Sequence, residues 1–523
     1  MNGPRCPRCL TIVELGQCRS CDFRAAPEAG RPSLLHVDET SATFAQPLDA
    51  HLLDSVIPAL DTASEPCCTE LLMERRASVH NTEAGNPLWE GRADVARAVI
   101  PSGGIALDVG CGFGTFAVAM ARSAEHVFAL DQSPVRAKVT AARLAAEGLE
   151  NATVLHGEGT RLPLGNAVCD VVTLVGVLEW SGVGKPDPAA AQRRLLGECA
   201  RVLKPGGVLL IGIENRYGCH YFAGAREEHT NLRFISLIPR VLARPYHRLR
   251  RRAPYATLTY SRGQLQRLVS DVGLTATMMV PLPSYSQPQL TLPPDPDMSA
   301  IRFYLDHVFQ PTSIARRIAM IAVRRLPPSV LVAAAPSYWV VACADTPPSS
   351  LDRIFVTGTP YCHGTVKTLD RDVKWITSEA RLGHSRRTEP VADGPNARRW
   401  VLAPLFRRHR IARAGRLLIE LGNALGTTAS APVGDSSWKA EALEGLARLR
   451  VDLSPTAQEW CRALVESADR PEALVEHGDL SLNNIVVSSD GLKFVDLPGK
   501  QELAPRGRDE IVAGRVVLGA LGT

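Results

Sequence analysis

The stretch "LDVGCGFGTF", from Leu107 to Phe116, constrains the fold of this chain more than any other segment. In it an apolar run ends near Asp108, glycine then occupies every second position, and a stretch with helical spacing follows. Glycine allows the backbone to turn tightly and to approach a ligand closely. A strand that enters a helix through such a loop is therefore typical of a nucleotide-cofactor site, although a plain tight turn also fits the pattern.

The spacing of the glycines favours one class of cofactor. A dinucleotide fingerprint reads G-x-G-x-x-G and holds a pyrophosphate at the helix terminus. Here Gly110, Gly112 and Gly114 alternate, and the acidic Asp108 precedes them. Because a carboxylate attracts a cation and repels a phosphate, the pattern favours the sulfonium and ammonium groups of S-adenosylmethionine.

Strands and helices alternate around this loop. Predicted strands are "GIALDVG", "HVFALDQS", "ATVLHGEG", "VCDVVTLVGVLEW", "VLLIGIEN", "TATMMVPLPSY" and "SYWVVACAD". Predicted helices include "NPLWEGRADVARAVI", "PVRAKVTAARLAAEGL" and "AAAQRRLLGECARVL", the last of which we expect to end at "KPGG". This alternation predicts an α/β fold, a Rossmann-like, doubly wound sheet of seven strands with helices on both faces.

Five ordered features of residues 85–346 resemble the class I S-adenosylmethionine-dependent methyltransferases. They are "DVGCGFG", Asp131 at the end of the second strand, Glu158 in "HGEG", "RLPLGNAVCDVVTLVGVLEW" and "RVLKPGGVLLIG". A carboxylate at Asp131 can accept from both ribose hydroxyls, and Glu158 can accept from the adenine amino group. The resemblance implies cofactor contacts at Asp108, Gly110, Cys111, Gly112, Gly114, Asp131, Gln132, Glu158, Gly159 and Val175.

The same resemblance implies methyl transfer by direct displacement, for which an oxygen nucleophile often needs a general base. Our candidates for catalytic residues are Glu214, His220 and His229. Glu214 follows the fifth strand, at the edge where open α/β sheets bind ligands, whereas each histidine alone also fits a surface or structural role. The family's usual "VLEH" stands here as "VLEW", so Trp180 replaces a histidine.

Residues 1–26 carry two C-x-x-C pairs, formed by Cys6 with Cys9 and by Cys18 with Cys21. Each pair suits a tight turn whose thiolates bind one side of a tetrahedral Zn(II) ion, so we expect a small zinc ribbon with a structural metal. Chance clustering of reduced thiols is the alternative. Residues 27–84 read as a linker with helices.

Residues 350–523 contain "HGDLSLNNIVV" and "FVD", which resemble the catalytic core of aminoglycoside phosphotransferases. In that family the first aspartate acts on the acceptor hydroxyl, and the asparagine and later aspartate hold Mg(II) on the nucleotide. The resemblance implies these roles for Asp479, Asn484 and Asp496, with Mg(II)-ATP as the nucleotide. The phosphate-covering loop matches poorly, so we expect a partial kinase-like α+β domain, either active or degenerate.

The order of the two domains is similar to that of bifunctional enzymes that cap O-antigen chains. The leading hypothesis is therefore an O-methyltransferase acting on a sugar, a glycan or a related small molecule in surface polysaccharide biosynthesis or secondary metabolism. One alternative is an RNA methyltransferase whose zinc ribbon binds nucleic acid, and another is a non-catalytic scaffold. A net charge of +5 and 5% aromatic residues disfavour nucleic acid as a partner.

The apolar and basic runs of the sequence indicate how the protein could contact a membrane. No apolar run reaches the ~18–20 residues of a spanning helix, and the N-terminal residues lack the apolar core of a signal peptide, so we expect a cytoplasmic protein. The basic run Arg244–Arg252 indicates either a solvated face or peripheral contact with a membrane or another anionic ligand.

Overall fold

The structure, a computed structural model, describes residues 91–96, 103–305 and 323–345 in full, together with residues 321, 347–348 and 351. Some other strands and helix ends are described by their backbone alone. The chain divides into two compact units. The first comprises residues 1–296, 328–372 and 376–388, and the second comprises residues 297–327, 373–375 and 389–523.

The sheet of the first unit contains the seven predicted strands as consecutive neighbours. In spatial order they are Ala152–His156, His126–Asp131, Ile105–Val109, Cys169–Val175, Leu203–Glu214, Ser337–Cys343 and Thr275–Leu282. The first five run parallel to one another. Ser337–Cys343 runs antiparallel to both of its neighbours, so the sheet is mixed. The carboxyl ends of the five parallel strands lie at one edge, where ligands bind in such sheets.

The sheet continues beyond these seven strands at both sides. Arg31–His36 pairs in parallel with Ala152–His156, and Pro27–Glu28 pairs with Arg31–His36. Residues 27–84, for which the sequence predicted a linker with helices, therefore contribute strands to this sheet. On the other side the sheet continues through Leu290–Leu292. The remaining strands are Val13–Glu14, Gln17–Cys18, Ile354–Val356, Thr365–Leu369, Trp375–Ala380, Arg386–Pro390, Ser430–Pro432, Glu472–Val475, Ile485–Ser488, Gly491–Phe494 and Leu503–Pro505.

Three helices of the first unit begin at polar caps that the sequence provides. Ser133 and Asp187 accept hydrogen bonds from backbone amides of the first turn, and proline follows each of them. Ser261 forms a capping box with Gln264. The helices are Asp94–Arg97, Thr115–Ala121, Pro134–Ala146, Pro188–Val202, Cys219–Phe222, Arg240–Arg251, Arg262–Ser270 and Pro328–Ala333, and the second unit contains Met298–Phe303.

Two predicted boundaries differ from the structure. The segment "NPLWEGRADVARAVI" was expected to form one helix, but its described part is a 3-10 turn, Glu90–Ala93, followed by a short α-helix, Asp94–Arg97. The segment "KPGG" was expected to separate a helix from a strand. Instead the strand Leu203–Glu214 begins directly after the helix and includes these four residues, because the sheet partner Cys169 already pairs with Leu203.

The core surrounds the loop that follows the first strand. Every residue of Ile105–Val109 is buried, and so is every residue of Thr115–Ala121. Phe116 packs against Trp339, with 5.9 Å between the ring centroids. The glycine loop is therefore held between two buried elements, which fixes its position. Within the described part of the chain, no helix is long and apolar enough to cross a bilayer.

Candidate functional site

The glycine loop has a backbone that side chains would disturb. Gly110, Gly112 and Gly114 have φ angles of 71°, 56° and 78°, in the left-handed region that favours glycine. A Cβ atom on Gly110 would lie 2.3 Å from Cγ2 of Val177, and one on Gly114 would lie 3.1 Å from Cγ2 of Thr140. The loop therefore requires glycine for its conformation and for its close packing.

Asp131 fixes the loop to the second strand. Its Oδ2 accepts from the amide of Gly112 at 2.8 Å, and its Oδ1 accepts from the amide of Ser133 at 2.8 Å. The amides of Gly110 and Cys111 donate to the carbonyl oxygen of Leu130. Each carboxylate oxygen has two lone pairs, so the predicted ribose contact of Asp131 would use acceptor capacity that these amides leave open.

Asp108 is a buried carboxylate with one unpaired oxygen. Only 2% of its surface is exposed, and Thr173 Oγ1 donates to its Oδ1 at 2.7 Å. Its Oδ2 has no hydrogen-bond partner. Burial raises the pKa of Asp108 to about 7, against the hydrogen bond from Thr173, which lowers it. A buried carboxylate oxygen without a hydrogen bond is costly, and the charge of Arg92 offsets that cost only in part, so this carboxylate is suited to a cationic ligand.

A cavity of about 430 Å³ lies beside the loop, within the range of small-molecule sites. Nine of the ten predicted cofactor residues line it, namely Asp108, Gly110, Cys111, Gly112, Asp131, Gln132, Glu158, Gly159 and Val175. The tenth, Gly114, is not among the lining residues. It lies one residue before the helix Thr115–Ala121 and packs against Thr140, so its contribution is to the loop conformation.

Glu158 lies at a more exposed part of the cavity. Its Oε1 forms an ion pair with Lys185 Nζ, and Thr160 Oγ1 donates to its Oε2 at 3.0 Å. Since about a third of each charged side chain is exposed, this pair contributes little to stability. Glu158 can therefore exchange Lys185 for a polar group of a ligand at small cost.

Arg92 and Tyr285 also line the cavity, and the sequence did not indicate either. Burial lowers the pKa of Arg92, and its Nε has no hydrogen-bond partner. Tyr285 packs edge-on against Trp339, with 5.7 Å between centroids. A Cβ on Gly212 would lie 2.9 Å from Cδ2 of Tyr285, so glycine in the fifth strand makes room for this ring.

Glu179, Glu214 and His229 form a buried cluster next to the cavity, which we call the Glu–Glu–His cluster. His229 Nε2 lies 3.8 Å from Glu179 Oε1 and 3.9 Å from Glu214 Oε2. Tyr285, which lines the cavity, donates its hydroxyl proton to Glu214 Oε1 at 2.9 Å. His229 packs edge-on against Trp180, 4.9 Å between centroids, so an imidazole lies beside the residue that replaces the family's histidine.

The charges of the cluster shift one another's pKa values. Burial and the neighbouring Glu179 raise the pKa of Glu214 to about 8, although His229 opposes this. Burial lowers the pKa of His229, but the surrounding carboxylates of Glu179, Glu227 and Glu214 outweigh it and raise the pKa to about 11. Strongly shifted groups beside a cavity are typical of functional sites.

The structure brings two of the three candidate catalytic residues together. Glu214 and His229 belong to the cluster, whereas His220 pairs with Glu228, its Nε2 lying 3.5 Å from Oε1 of that carboxylate. Glu179 joins them although the sequence did not single it out. The side chains of Cys6, Cys9, Cys18 and Cys21, and the residues Asp479, Asn484 and Asp496, lie outside the described residues.

Comparison with known proteins identifies the central segment. Residues 107–211 match the family model described as "Methyltransferase domain". The chain is 34% identical to the ubiquinone biosynthesis O-methyltransferase of Xylella fastidiosa over 122 residues, which cover 23% of this chain and 46% of the relative. It is 35% identical to the demethylmenaquinone methyltransferase of Geobacillus kaustophilus over 121 residues, which cover 22% of this chain and 48% of the relative.

Among solved structures, the chain resembles one from the Haloferax volcanii complex between the Trm112 methyltransferase activator and a methyltransferase, with 15% identity and a TM-score of 0.33. That match covers 58% of this chain and all of the other. The chain spans about half the length of the curated relatives it matches. Residues 107–211 form a methyltransferase domain of the S-adenosylmethionine-dependent class.

Proposed function

We propose that this domain binds S-adenosylmethionine in the cavity beside the glycine loop and transfers a methyl group to a hydroxyl oxygen of an acceptor. The observation that carries the proposal is Asp108, a buried carboxylate that lines the cavity and whose Oδ2 has no hydrogen-bond partner among the described residues. A cation bound there would compensate the burial of the charge. The cofactor supplies a methyl group on a positively charged sulfur.

The remaining contacts follow from the geometry of the loop. Gly110 and Gly112 leave the space in which the methionine part of the cofactor would lie against the backbone. Asp131 would accept from the ribose hydroxyls, and Glu158 would accept from the adenine amino group. Arg92, close to Asp108 in charge interaction, would bind the carboxylate of the cofactor.

The nature of the acceptor is supported by the Glu–Glu–His cluster and by the relatives. A hydroxyl group must lose its proton when it is methylated, and Glu214 Oε2, which has no hydrogen-bond partner, is available to accept it. The curated relatives reported above are named as O-methyltransferases of ubiquinone biosynthesis or as a demethylmenaquinone methyltransferase. We keep a sugar or glycan hydroxyl as the proposed acceptor, with a phenolic hydroxyl as the alternative.

Two further roles belong to the proposal and rest on sequence motifs. The four cysteines of residues 1–26 would hold a structural Zn(II) ion. Asp479, Asn484 and Asp496 would hold Mg(II)-ATP in a kinase-like domain. A cytoplasmic location is part of the same proposal.

The test is methyl transfer from isotopically labelled S-adenosylmethionine by the full chain. Extracted cell-envelope glycans and a synthetic polyprenylated catechol serve as separate acceptors, and purified RNA serves as a third. We expect label in a hydroxyl-bearing acceptor and none with Asp108→Asn at the same cofactor concentration. Label in RNA, or equal transfer by the variant, would contradict the proposal.

A further inference from the structure

We infer that the Glu–Glu–His cluster is a binding site for a divalent metal ion. Its three side chains come from separate parts of the first unit. Glu179 follows the strand Cys169–Val175, Glu214 ends the strand Leu203–Glu214, and His229 lies in the loop that follows. Their potential ligand atoms all lie within 4.8 Å of one another. This inference deepens the proposed function, but metal binding by these residues can be tested without it.

Several carboxylate oxygens of the Glu–Glu–His cluster accept no hydrogen bond from the described residues. Glu179 has no exposed surface, and neither of its carboxylate oxygens has a hydrogen-bond partner among the described residues. Oε2 of Glu214 has none either. Leaving several buried carboxylate oxygens unpaired costs much more than leaving one. A cation among them would remove that cost, since the two carboxylates would neutralise its two charges.

A neighbouring carboxylate orients the imidazole of His229. His229 Nδ1 lies 2.6 Å from Oε1 of Glu227, and the other oxygen of Glu227 accepts from the amide of Thr230 at 2.7 Å. When Nδ1–H donates to Glu227, Nε2 faces the two remaining carboxylates, and a bound metal ion would take the place of the proton that these carboxylates hold on Nε2. A carboxylate behind a histidine is the usual support of a metal-ligating imidazole. Tyr285 orients Glu214 in the same way.

The distances exclude a simple hydrogen-bonded arrangement for the cluster. A protonated His229 could serve as the counter-ion of both carboxylates, but its Nε2 is 3.8 Å from Glu179 and 3.9 Å from Glu214. Neither distance is a hydrogen bond. A metal ion with ligands at about 2.0–2.2 Å requires ligand atoms roughly 3–4 Å apart. Binding would therefore shorten the distances between the ligand atoms by at most roughly 1–2 Å.

The ligand set selects the class of metal. Two carboxylates and one imidazole suit Mn(II), Mg(II) or Zn(II), and they lack the thiolates that select softer ions. Three protein ligands leave at least one coordination position open, as in catalytic metal sites. Because Tyr285 contacts Glu214 and also lines the cavity, the site adjoins the proposed cofactor. A hydroxyl bound to the open position would release its proton to water more readily, and Glu214 would then act as a ligand of the ion in place of a base.

Mn(II) is the probe for this site, because the thiolates of residues 1–26 do not favour it. The full chain, freed of metal by dialysis against a chelator, is titrated with Mn(II), and the free ion is followed by electron paramagnetic resonance. We expect one tightly bound ion per chain, with an affinity at least tenfold lower in Glu179→Gln. The matched control is Glu150→Gln, at an exposed position, which leaves the affinity unchanged.

A second measurement gives its main result on the unaltered chain, so that result does not depend on how a variant folds. Pulsed resonance of the bound Mn(II) in the unaltered chain should show coupling to an imidazole nitrogen, and His229→Gln should abolish it. Bound Mn(II) without nitrogen coupling would overturn the inference, and so would an unaltered chain that binds none of Mn(II), Mg(II) and Zn(II) outside the cysteines. Calorimetry of S-adenosylmethionine with the metal-free chain tests the proposed function separately, because the cofactor contacts do not include the cluster.

A different observation carries a second inference, about the helix Arg240–Arg251. Its outward side is apolar, with Val241 74%, Leu242 58% and Leu249 80% exposed. Val241, Pro245 and Leu249 are four residues apart and therefore lie along one side of the helix. The inward side is formed by Ala243 and His247, which are buried. A helix that exposes its apolar side to water lacks a partner for that side.

The charges of this helix indicate which kind of partner covers its apolar side. The helix and Arg252, which follows it, contain no acidic residue, and Arg244 and Arg248 are exposed beside the apolar side. Exposed apolar residues flanked by arginines are typical of helices that lie in the interface of an anionic bilayer. We infer that this helix docks the first unit on an anionic membrane surface.

Flotation with vesicles tests this docking. We expect the full chain to float with vesicles of phosphatidylcholine and phosphatidylglycerol, and to stay behind with phosphatidylcholine alone. Replacing Val241 and Leu249 together by glutamate should abolish flotation, whereas Ile321→Glu, at another exposed apolar residue, should not. Flotation that persists in the double variant, or that requires no anionic lipid, would overturn the inference.

Discussion

Replacing Asp108 by asparagine separates the stability of the domain from its affinity for the cofactor. Asparagine keeps the shape and the acceptor oxygen that Thr173 contacts, but it cannot ionise. The variant therefore removes a buried charge whose second oxygen has no partner. We expect the ligand-free variant to be more stable than the unaltered chain at pH 8, and to bind S-adenosylmethionine less tightly.

The magnitude follows from the pKa of Asp108, which burial raises from 3.8 to about 7. A carboxyl group whose folded pKa is raised binds its proton more tightly in the folded state, so folding loses stability as pH rises between the two values. At ~1.36 kcal/mol per unit, the cost is about 4 kcal/mol above pH 7 and nearly absent below pH 4. Between pH 5 and pH 8 the advantage of the variant should grow by roughly 2–3 kcal/mol.

Thermal unfolding at pH 5 and pH 8 measures this difference. For a domain of this size 1 kcal/mol shifts the midpoint by about 2–4 °C, so the advantage should increase by roughly 5–10 °C. Calorimetry at pH 8 should show at least about tenfold weaker binding of S-adenosylmethionine, equivalent to ~1.4 kcal/mol. A stability advantage of the variant that does not change with pH would refute the assignment of Asp108 as a buried charge that binds a cation. An unchanged affinity for S-adenosylmethionine would refute it as well.

Three further predictions concern the loop and the cysteines. Gly110→Ala should unfold the loop or cost more than about 2 kcal/mol of stability in denaturant titrations. The control is Gly148→Ala, which also has a positive φ but open space around it and should cost only ~1 kcal/mol. Equal costs for the two variants would show that packing at the loop is loose. Asp131→Ala should weaken cofactor binding by tenfold or more in calorimetry, because the loop amide loses its acceptor; unchanged affinity would remove the ribose assignment. Replacing Cys6 and Cys18 together by serine should release about one zinc per chain in metal analysis, and a metal-free unaltered chain would end that proposal.

Most of the lining of the cavity beside the glycine loop could be predicted from the sequence because its determinants are local. The loop conformation depends on glycines that are adjacent in sequence, and Asp131 reaches the loop from the end of the neighbouring strand. Strand order in a doubly wound sheet places these two segments side by side. The resemblance carried by these local motifs therefore pointed to nine residues that line the cavity beside the glycine loop.

Arg92 and Tyr285 could not be predicted in this way. Arg92 lies in a short turn of which the sequence shows only helical spacing, and its position against Asp108 depends on how that turn packs. Tyr285 reaches the cavity because Gly176 and Gly212 leave room for its ring. Both contacts are set by tertiary packing over long sequence separations, for which a single sequence carries no periodic signal.

The Glu–Glu–His cluster could be predicted from the sequence only in part. Glu179 and Glu214 follow two strands that are parallel neighbours, so their proximity follows from the topology. The difference between "VLEW" and "VLEH" lies at Trp180, and the motif alone gives no signal for the glutamate before it. The place of His229 depends on a loop whose path only the structure shows, and it is held there by Glu227.

The central claim is that the alternating-glycine loop binds a sulfonium compound and not a pyrophosphate. Titration calorimetry of the full chain with S-adenosylmethionine, S-adenosylhomocysteine and NAD⁺, at one pH and one salt concentration, tests it most directly. We predict one site per chain for the two adenosyl compounds, tighter binding of the charged sulfonium than of its uncharged product in the unaltered chain, and no heat with NAD⁺. Tight binding of NAD⁺, or no binding of S-adenosylmethionine, would contradict the account.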